Sequence, residues 1–191
     1  MKKIALFAVL SMLTYALQAQ DLADLFEKNK ESVVTIYVSE SVSQGTGDPL
    51  TFTSNMGLGS GVLVREDVIL TAAHVVANAE EIMVQFFDGE SITAKTMRIS
   101  RIADVALIQL DKPPADPHVA IIGNSDEERI GDDIFVIGAP MGLPYSLSRG
   151  VISGKHAEHN LSNDGKMLEF FQTDAAINTG NSGGPMFNYD G

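Results

Sequence analysis

The chain has 191 residues, 45% of them hydrophobic and 20% charged, a globular composition rather than a disordered or fibrous one. A net charge of −12 argues against nucleic acid or an anionic membrane surface as the main partner. There is no cysteine, so the fold must hold by its core alone, without a disulfide framework or a lipid-modified cysteine.

Lys2 and Lys3 precede an apolar run from Ile4 to Leu17, which ends near the small residue Ala19. This is the pattern of a secretory signal over residues 1–19; the run is too short for a comfortable membrane span. An uncleaved anchor is the alternative. In either case the domain from residue 20 to 191 leaves the cytoplasm, and no membrane attachment is expected once the signal is removed. Asp21 to Lys30 predicts a short helix, capped by Asp21, with Leu22, Leu25 and Phe26 on one face.

From Val33 the pattern becomes strand-like. Val33–Val38, Leu58–Val64, Val68–Leu70, Ile82–Phe87, Ile92–Ile99 and Val105–Leu110 are short apolar runs separated by turn residues such as Asp88-Gly89. Ser39 to Met56 is polar and reads as a long loop. Many short strands with regular punctuation indicate an all-β barrel or sandwich. Residues 111–118 carry Pro113, Pro114 and Pro117, which make a stiff linker. A second strand set follows: Val119–Ile122, Ile134–Ile137, Gly150–Ser153, Leu168–Gln172 and Gly184–Phe187. The expected domain is therefore two β units, about 31–111 and 119–191, joined by a proline-rich crossing.

The chemistry concentrates at Gly180-Asn181-Ser182-Gly183-Gly184-Pro185. A serine hydroxyl is a poor nucleophile until a base takes its proton and a third group holds that base in the right tautomer. Glycines around Ser182 let the Gly180 and Ser182 N–H groups point the same way, toward a developing oxyanion. The bland alternative is a glycine-rich loop before a strand. Of the four histidines, His118 sits in the linker, and His156 and His159 lie in a polar stretch whose spacing lacks a further metal-ligand set. His74 follows Leu70-Thr71-Ala72-Ala73 at the end of an apolar strand and is the candidate base; a buried structural histidine is the alternative. Asp104, in Ile102-Ala103-Asp104-Val105-Ala106, is the candidate that orients it, against the alternative of a turn cap.

Chain order narrows the fold. Gly180-x-Ser182-x-Gly184 also matches a nucleophile elbow, but that fold places its acid and histidine after the serine, and only nine residues follow Ser182, none of them histidine. Gly57-x-Gly59-x-Gly61 leads into a strand rather than a helix, which excludes a dinucleotide loop.

Several strings together resemble the HtrA/Deg family of secreted serine proteases. They are Gly59-Ser60-Gly61-Val62-Leu63-Val64, Thr71-Ala72-Ala73-His74-Val75-Val76, Ala103-Asp104-Val105-Ala106-Leu107, Ile122-Gly123-Asn124-Ser125, Val136-Ile137-Gly138-Ala139-Pro140-Met141-Gly142, and Gln172-Thr173-Asp174-Ala175-Ala176-Ile177-Asn178 running into the Ser182 loop. The resemblance implies a two-barrel chymotrypsin/trypsin-like fold with His74 and Asp104 on the first barrel and Ser182 on the second. It implies a serine endopeptidase acting on unfolded or misfolded protein in the periplasm, without cofactor. It also implies homo-oligomers, trimers or multiples, in a full-length form, with contacts from the segment around Phe26 and the loop after Ser39. A non-catalytic protein-binding or chaperone-like module is the alternative.

Four features stand out. Asn181 replaces the aspartate with which digestive relatives bind a new N-terminus, so ordering of the loops 140–149, 156–166 and 176–180 becomes the expected control. Thr179 stands where proline is usual, and Arg149 where a small residue is usual. Asn188-Tyr189-Asp190-Gly191 reads as a hairpin turn, so the second barrel is expected to be incomplete at the C-terminus, with no PDZ domain present.

Overall fold

A computed structural model describes residues 21–43, 52–158 and 168–191. The expected signal over residues 1–19, the middle of the loop after Ser39 and His159 lie outside the described residues.

Helix α1 (Leu22–Asn29) begins where the Asp21 carboxylate accepts the Ala23 N–H at 3.2 Å, as a cap should. Leu25 is buried against Phe135, Ile137 and Phe187, with Leu22 and Phe26 packed around them. Phe26 thus lies against the chain's own core. A 3-10 turn (Lys30–Ser32) leads into β1 (Val33–Ser43).

Six strands close a barrel: β1, β2 (Phe52–Arg65), β3 (Val68–Ala72), β4 (Glu81–Gln85), β5 (Ser91–Ser100) and β6 (Val105–Leu110), in the order β1-β2-β3-β6-β5-β4. All pairings are antiparallel, and β1 closes on β4 through Thr35↔Gln85 to Ser39↔Glu81. Closure removes the exposed edges that an open sheet leaves. The interior is aliphatic, with Ile36, Leu63, Ile69, Val84 and Ile108 fully buried. Strands β1 and β2 extend past the positions where apolar alternation ends, to Ser43 and from Phe52. The segment read as a loop from Ser39 to Met56 is therefore strand at both ends.

The second unit is a four-stranded sheet in the order β10-β7-β8-β9, built from β7 (Asp133–Gly138), β8 (Ser146–Glu158), β9 (Leu168–Thr173) and β10 (Met186–Asn188). Among the described residues it does not close into a barrel. Arg149 on β8 pairs with Asp133 on β7 at 3.1 Å, so the unusual arginine is a cross-strand ion pair. The chain turns at Asn188–Gly191, with Gly191 N–H donating to Asn188 O and Gly191 at φ +88°.

Two sequence expectations are corrected. Val119–Ile122 is not a strand. β1 covers one side of β2 only as far as Val62, so little open edge is left, and Ala120 N–H takes Leu63 O at 2.9 Å as a single bond. Ile121 and Ile122 are exposed instead. His156 is not in a loop but on β8, where its Nε2 pairs with Gln172 on β9 at 3.0 Å. His118 is exposed, as expected, and its Nε2 lies 3.0 Å from Glu31.

Candidate active site

β3 delivers His74. Ala72 and Ala73 are buried and small, and the strand ends in a single helical turn, α2 (Ala73–Val76), that carries His74 on its outer side while Val75 and Val76 sink into the barrel. The His74 side chain is 58% exposed, which excludes the buried structural alternative.

Asp104 ends the connection from β5, one residue before β6. It grips His74 at two points: Oδ1 accepts the His74 backbone N–H at 2.9 Å, and Oδ2 lies 2.7 Å from His74 Nδ1. Its own carbonyl accepts the Ala73 N–H at 3.1 Å. Asp104 has φ +50°, a left-handed backbone uncommon for a residue with a side chain. The β-turn geometry and these three bonds hold it there. Partial desolvation works to raise the Asp104 pKa, but hydrogen bonds from His74 and the His74 charge outweigh it, and the net shift is downward. The carboxylate is half-exposed, not buried as the apolar neighbours in the sequence suggest, because Ile102 and Val105 themselves face solvent.

Ser182 arrives from the other unit, on the loop between β9 and β10. Its carbonyl accepts the Ser60 N–H of β2 at 2.8 Å. A side chain at Gly59 would meet both Val75 and the Ser182 carbonyl, so the α2 turn and the Ser182 loop converge on this one glycine. His74 and Ser182 are thereby brought to the same rim of the barrel. No hydrogen bond joins them among the described residues, and catalytic hydrogen bonds commonly tighten only with substrate in place.

The loop around Ser182 has its carbonyls tied down. Thr179 O accepts Met141 N–H at 2.8 Å, and Asn181 O accepts Gly184 N–H at 2.8 Å. In a trans peptide the carbonyl and the following N–H point in opposite directions. Fixing Thr179 O and Asn181 O therefore fixes the directions of the Gly180 and Ser182 N–H groups. Neither N–H donates to a protein acceptor among the described residues. Gly180, at φ +103°, leaves no room for a Cβ, which would overlap the Ala139 carbonyl. The arrangement offers two oriented, unengaged donors beside a serine hydroxyl, which suits an anionic oxygen.

The roles of two contributors were not read from the sequence. The turn Pro140–Gly142 supplies the Met141 N–H, with Met141 itself at φ +54°; only the Pro-Met-Gly string signals that turn. It is tied back to the first barrel through Tyr145, whose ring meets Phe87 edge-on at 4.8 Å between centroids. The other is Ser60, a hydroxyl between two glycines that the sequence uses only as part of a string. Asn181 is buried beside Gly138, and among the described residues its Oδ1 has no hydrogen-bond partner.

Residues 59–191 match the family model of the trypsin-like peptidase domain. A probable periplasmic serine endoprotease, DegP-like, from Pseudomonas fulva (strain 12-X) is 42% identical over 135 residues, 70% of this chain and 27% of the relative. Another of the same description, from Hahella chejuensis (strain KCTC 2396), is 33% identical over 211 aligned residues, 97% of this chain and 44% of the relative. Among solved structures, a variant of the HtrA-type protease AlgW with a decapeptide superposes with a TM-score of 0.79 at 28% identity, covering 89% of this chain and 55% of that one. The chain thus spans less than half the length of these two curated relatives.

Proposed function

The chain belongs to the trypsin-like peptidase family, in its HtrA/Deg group, and from that premise we propose that it is a serine endopeptidase working through His74, Asp104 and Ser182. The observation that carries this reading is the two-point grip of Asp104 on His74. With Nδ1–H donated to Asp104 Oδ2, the imidazole keeps Nε2 free as the base.

In the proposed reaction Nε2 takes the Ser182 hydroxyl proton as Oγ attacks the peptide carbonyl. The oxygen of the tetrahedral intermediate accepts from the Gly180 and Ser182 N–H groups. The imidazolium, stabilised by Asp104, returns the proton to the leaving amine. Water then repeats the sequence in reverse on the acyl-enzyme. No metal or organic cofactor enters any step.

Substrate and place follow from the same reading. The proposed substrates are unfolded or misfolded proteins, whose extended segments can enter an open, loop-lined site. A periplasmic location is supported by the names of the relatives and by the signal-like pattern of residues 1–19. Homo-oligomers belong to the proposal for a longer form.

The rival reading, a protein-binding module without turnover, draws on the missing hydrogen bond between His74 and Ser182. Casein separates the two. The purified protein is expected to cleave it, and Ser182→Ala is expected to lower the rate by about a million-fold, to background. Cleavage that survives the substitution sinks the serine-protease reading; casein bound but never cleaved by the unaltered protein favours the rival.

A further inference from the structure

We propose that Ser60 is a positioning residue for the reaction proposed above, and on that reading the inference rests: its buried hydroxyl latches the peptide between the two oxyanion donors. Ser60 lies on β2 and is fully buried, at 0% exposure. All of its polar groups are engaged. Its N–H donates to Ser182 O at 2.8 Å, and its carbonyl accepts the Thr71 hydroxyl at 2.7 Å. Its own hydroxyl donates to Gly180 O at 2.7 Å and accepts the Ala139 N–H at 3.0 Å. A hydroxyl has one proton to give, and here it is spent on the loop that carries the nucleophile.

The placement of that one bond matters. The peptide before Gly180 is held by Met141, and the peptide after Asn181 by Gly184. Between them lies the Gly180–Asn181 peptide, whose carbonyl Ser60 holds. Gly180, with φ +103° and no side chain, offers little conformational resistance of its own. Without the Ser60 hydroxyl the Gly180 carbonyl becomes a buried acceptor with no donor, which disfavours the observed orientation. Rotation of that peptide pulls Asn181 N–H from Asn178 O, to which it donates at 3.0 Å, and misaims the donors on either side. Ser60 therefore reports the packing of three elements, β2, the end of β7 and the Ser182 loop, as one orientation of the oxyanion donors.

The test compares two buried serines. Ser32 is also buried and donates its hydroxyl to a backbone carbonyl, Asn29 O at 2.7 Å, but on the N-terminal turn. Ser60→Ala is expected to lower kcat on a peptide substrate by about 10- to 100-fold, short of the 10²–10³-fold typical of deleting a donor outright. KM should stay within about threefold, because ground-state binding is untouched. By NMR, hydrogen exchange at the Asn181 and Gly184 amides should accelerate at least about tenfold while barrel amides such as Ile36 stay protected. Ser32→Ala should lower the melting temperature and change neither readout. Ser60→Cys, similar in size but a weaker donor, should fall between, and it carries the test if the alanine variant does not fold. Wild-type kcat or wild-type exchange in both Ser60 variants overturns the proposal, as do equal losses in the Ser60 and Ser32 variants. Survival of turnover in Ser182→Ala would instead overturn the reading beneath it, and the exchange result stands apart from turnover altogether.

Discussion

His74→Ala is expected to lower kcat by about a million-fold while leaving the fold intact. The size of the loss follows from what the imidazole does. Without it Ser182 has no acceptor for its proton, and the leaving amine has no donor. The fold should tolerate the change because the side chain is 58% exposed and its one side-chain bond is to the half-exposed Asp104. A surface truncation of this kind shifts stability by no more than about 1 kcal/mol. Single-turnover kinetics and a thermal melt on the same preparation check both halves. A variant that keeps a hundredth of the rate would mean that another group acts as base.

Asp104→Asn is the second large effect, at about 10⁴-fold in kcat. Asparagine is nearly isosteric and adopts the left-handed backbone at φ +50° more readily than most residues, so the turn should survive. The backbone bond from His74 N–H can persist to an amide oxygen. What changes is the partner of Nδ1: an amide in place of a carboxylate no longer favours the Nδ1–H tautomer or stabilises the imidazolium. The same substitution tests the pH dependence of stability. The folded Asp104 pKa lies below its unfolded value, so its stabilising contribution is full above the ordinary carboxylate range and fades as pH falls through the lower folded value. The melting-temperature gap between wild type and Asp104→Asn should accordingly be constant near neutrality and close on acidification below pH ~4. A gap that widens in acid would contradict the assigned direction.

These two effects rest on residues that the sequence made legible for a physical reason. His74, Asp104 and Ser182 occur in one chain order that a single two-unit fold permits, with His74 just past the end of β3, Asp104 just before the apolar run of β6, and Ser182 between glycines. The barrel strands were legible too, because a half-buried strand writes its period into the sequence, as Ile82 and Val84 do on β4. The ends of β1 and β2 were not, since a two-stranded ribbon beyond the core is held by backbone pairing such as Glu40↔Asn55 and needs no apolar pattern. Val119–Ile122 failed in the opposite sense. It has the right residues for a strand but only one ladder bond available, at Leu63. His156 looked like a loop residue because β8 is made of small and polar residues there, Ser153 to Glu158, with no apolar period. Least legible was what braces the Ser182 loop. Nothing in Pro140-Met141-Gly142 or in a serine between two glycines announces that their N–H and hydroxyl groups will aim Gly180 and Ser182. That depends on contacts between segments about 40 and 120 residues apart in sequence, which only the fold brings together.

The central claim is that Ser182 is an activated nucleophile and His74 its base. Reaction with a fluorophosphonate, followed by intact-mass and peptide-map analysis, measures it most directly. One adduct per chain on the peptide holding Ser182, and no adduct over the same time in His74→Ala, is the expected result. Labelling at another residue, or equal labelling of Ser182 with His74 removed, would contradict it.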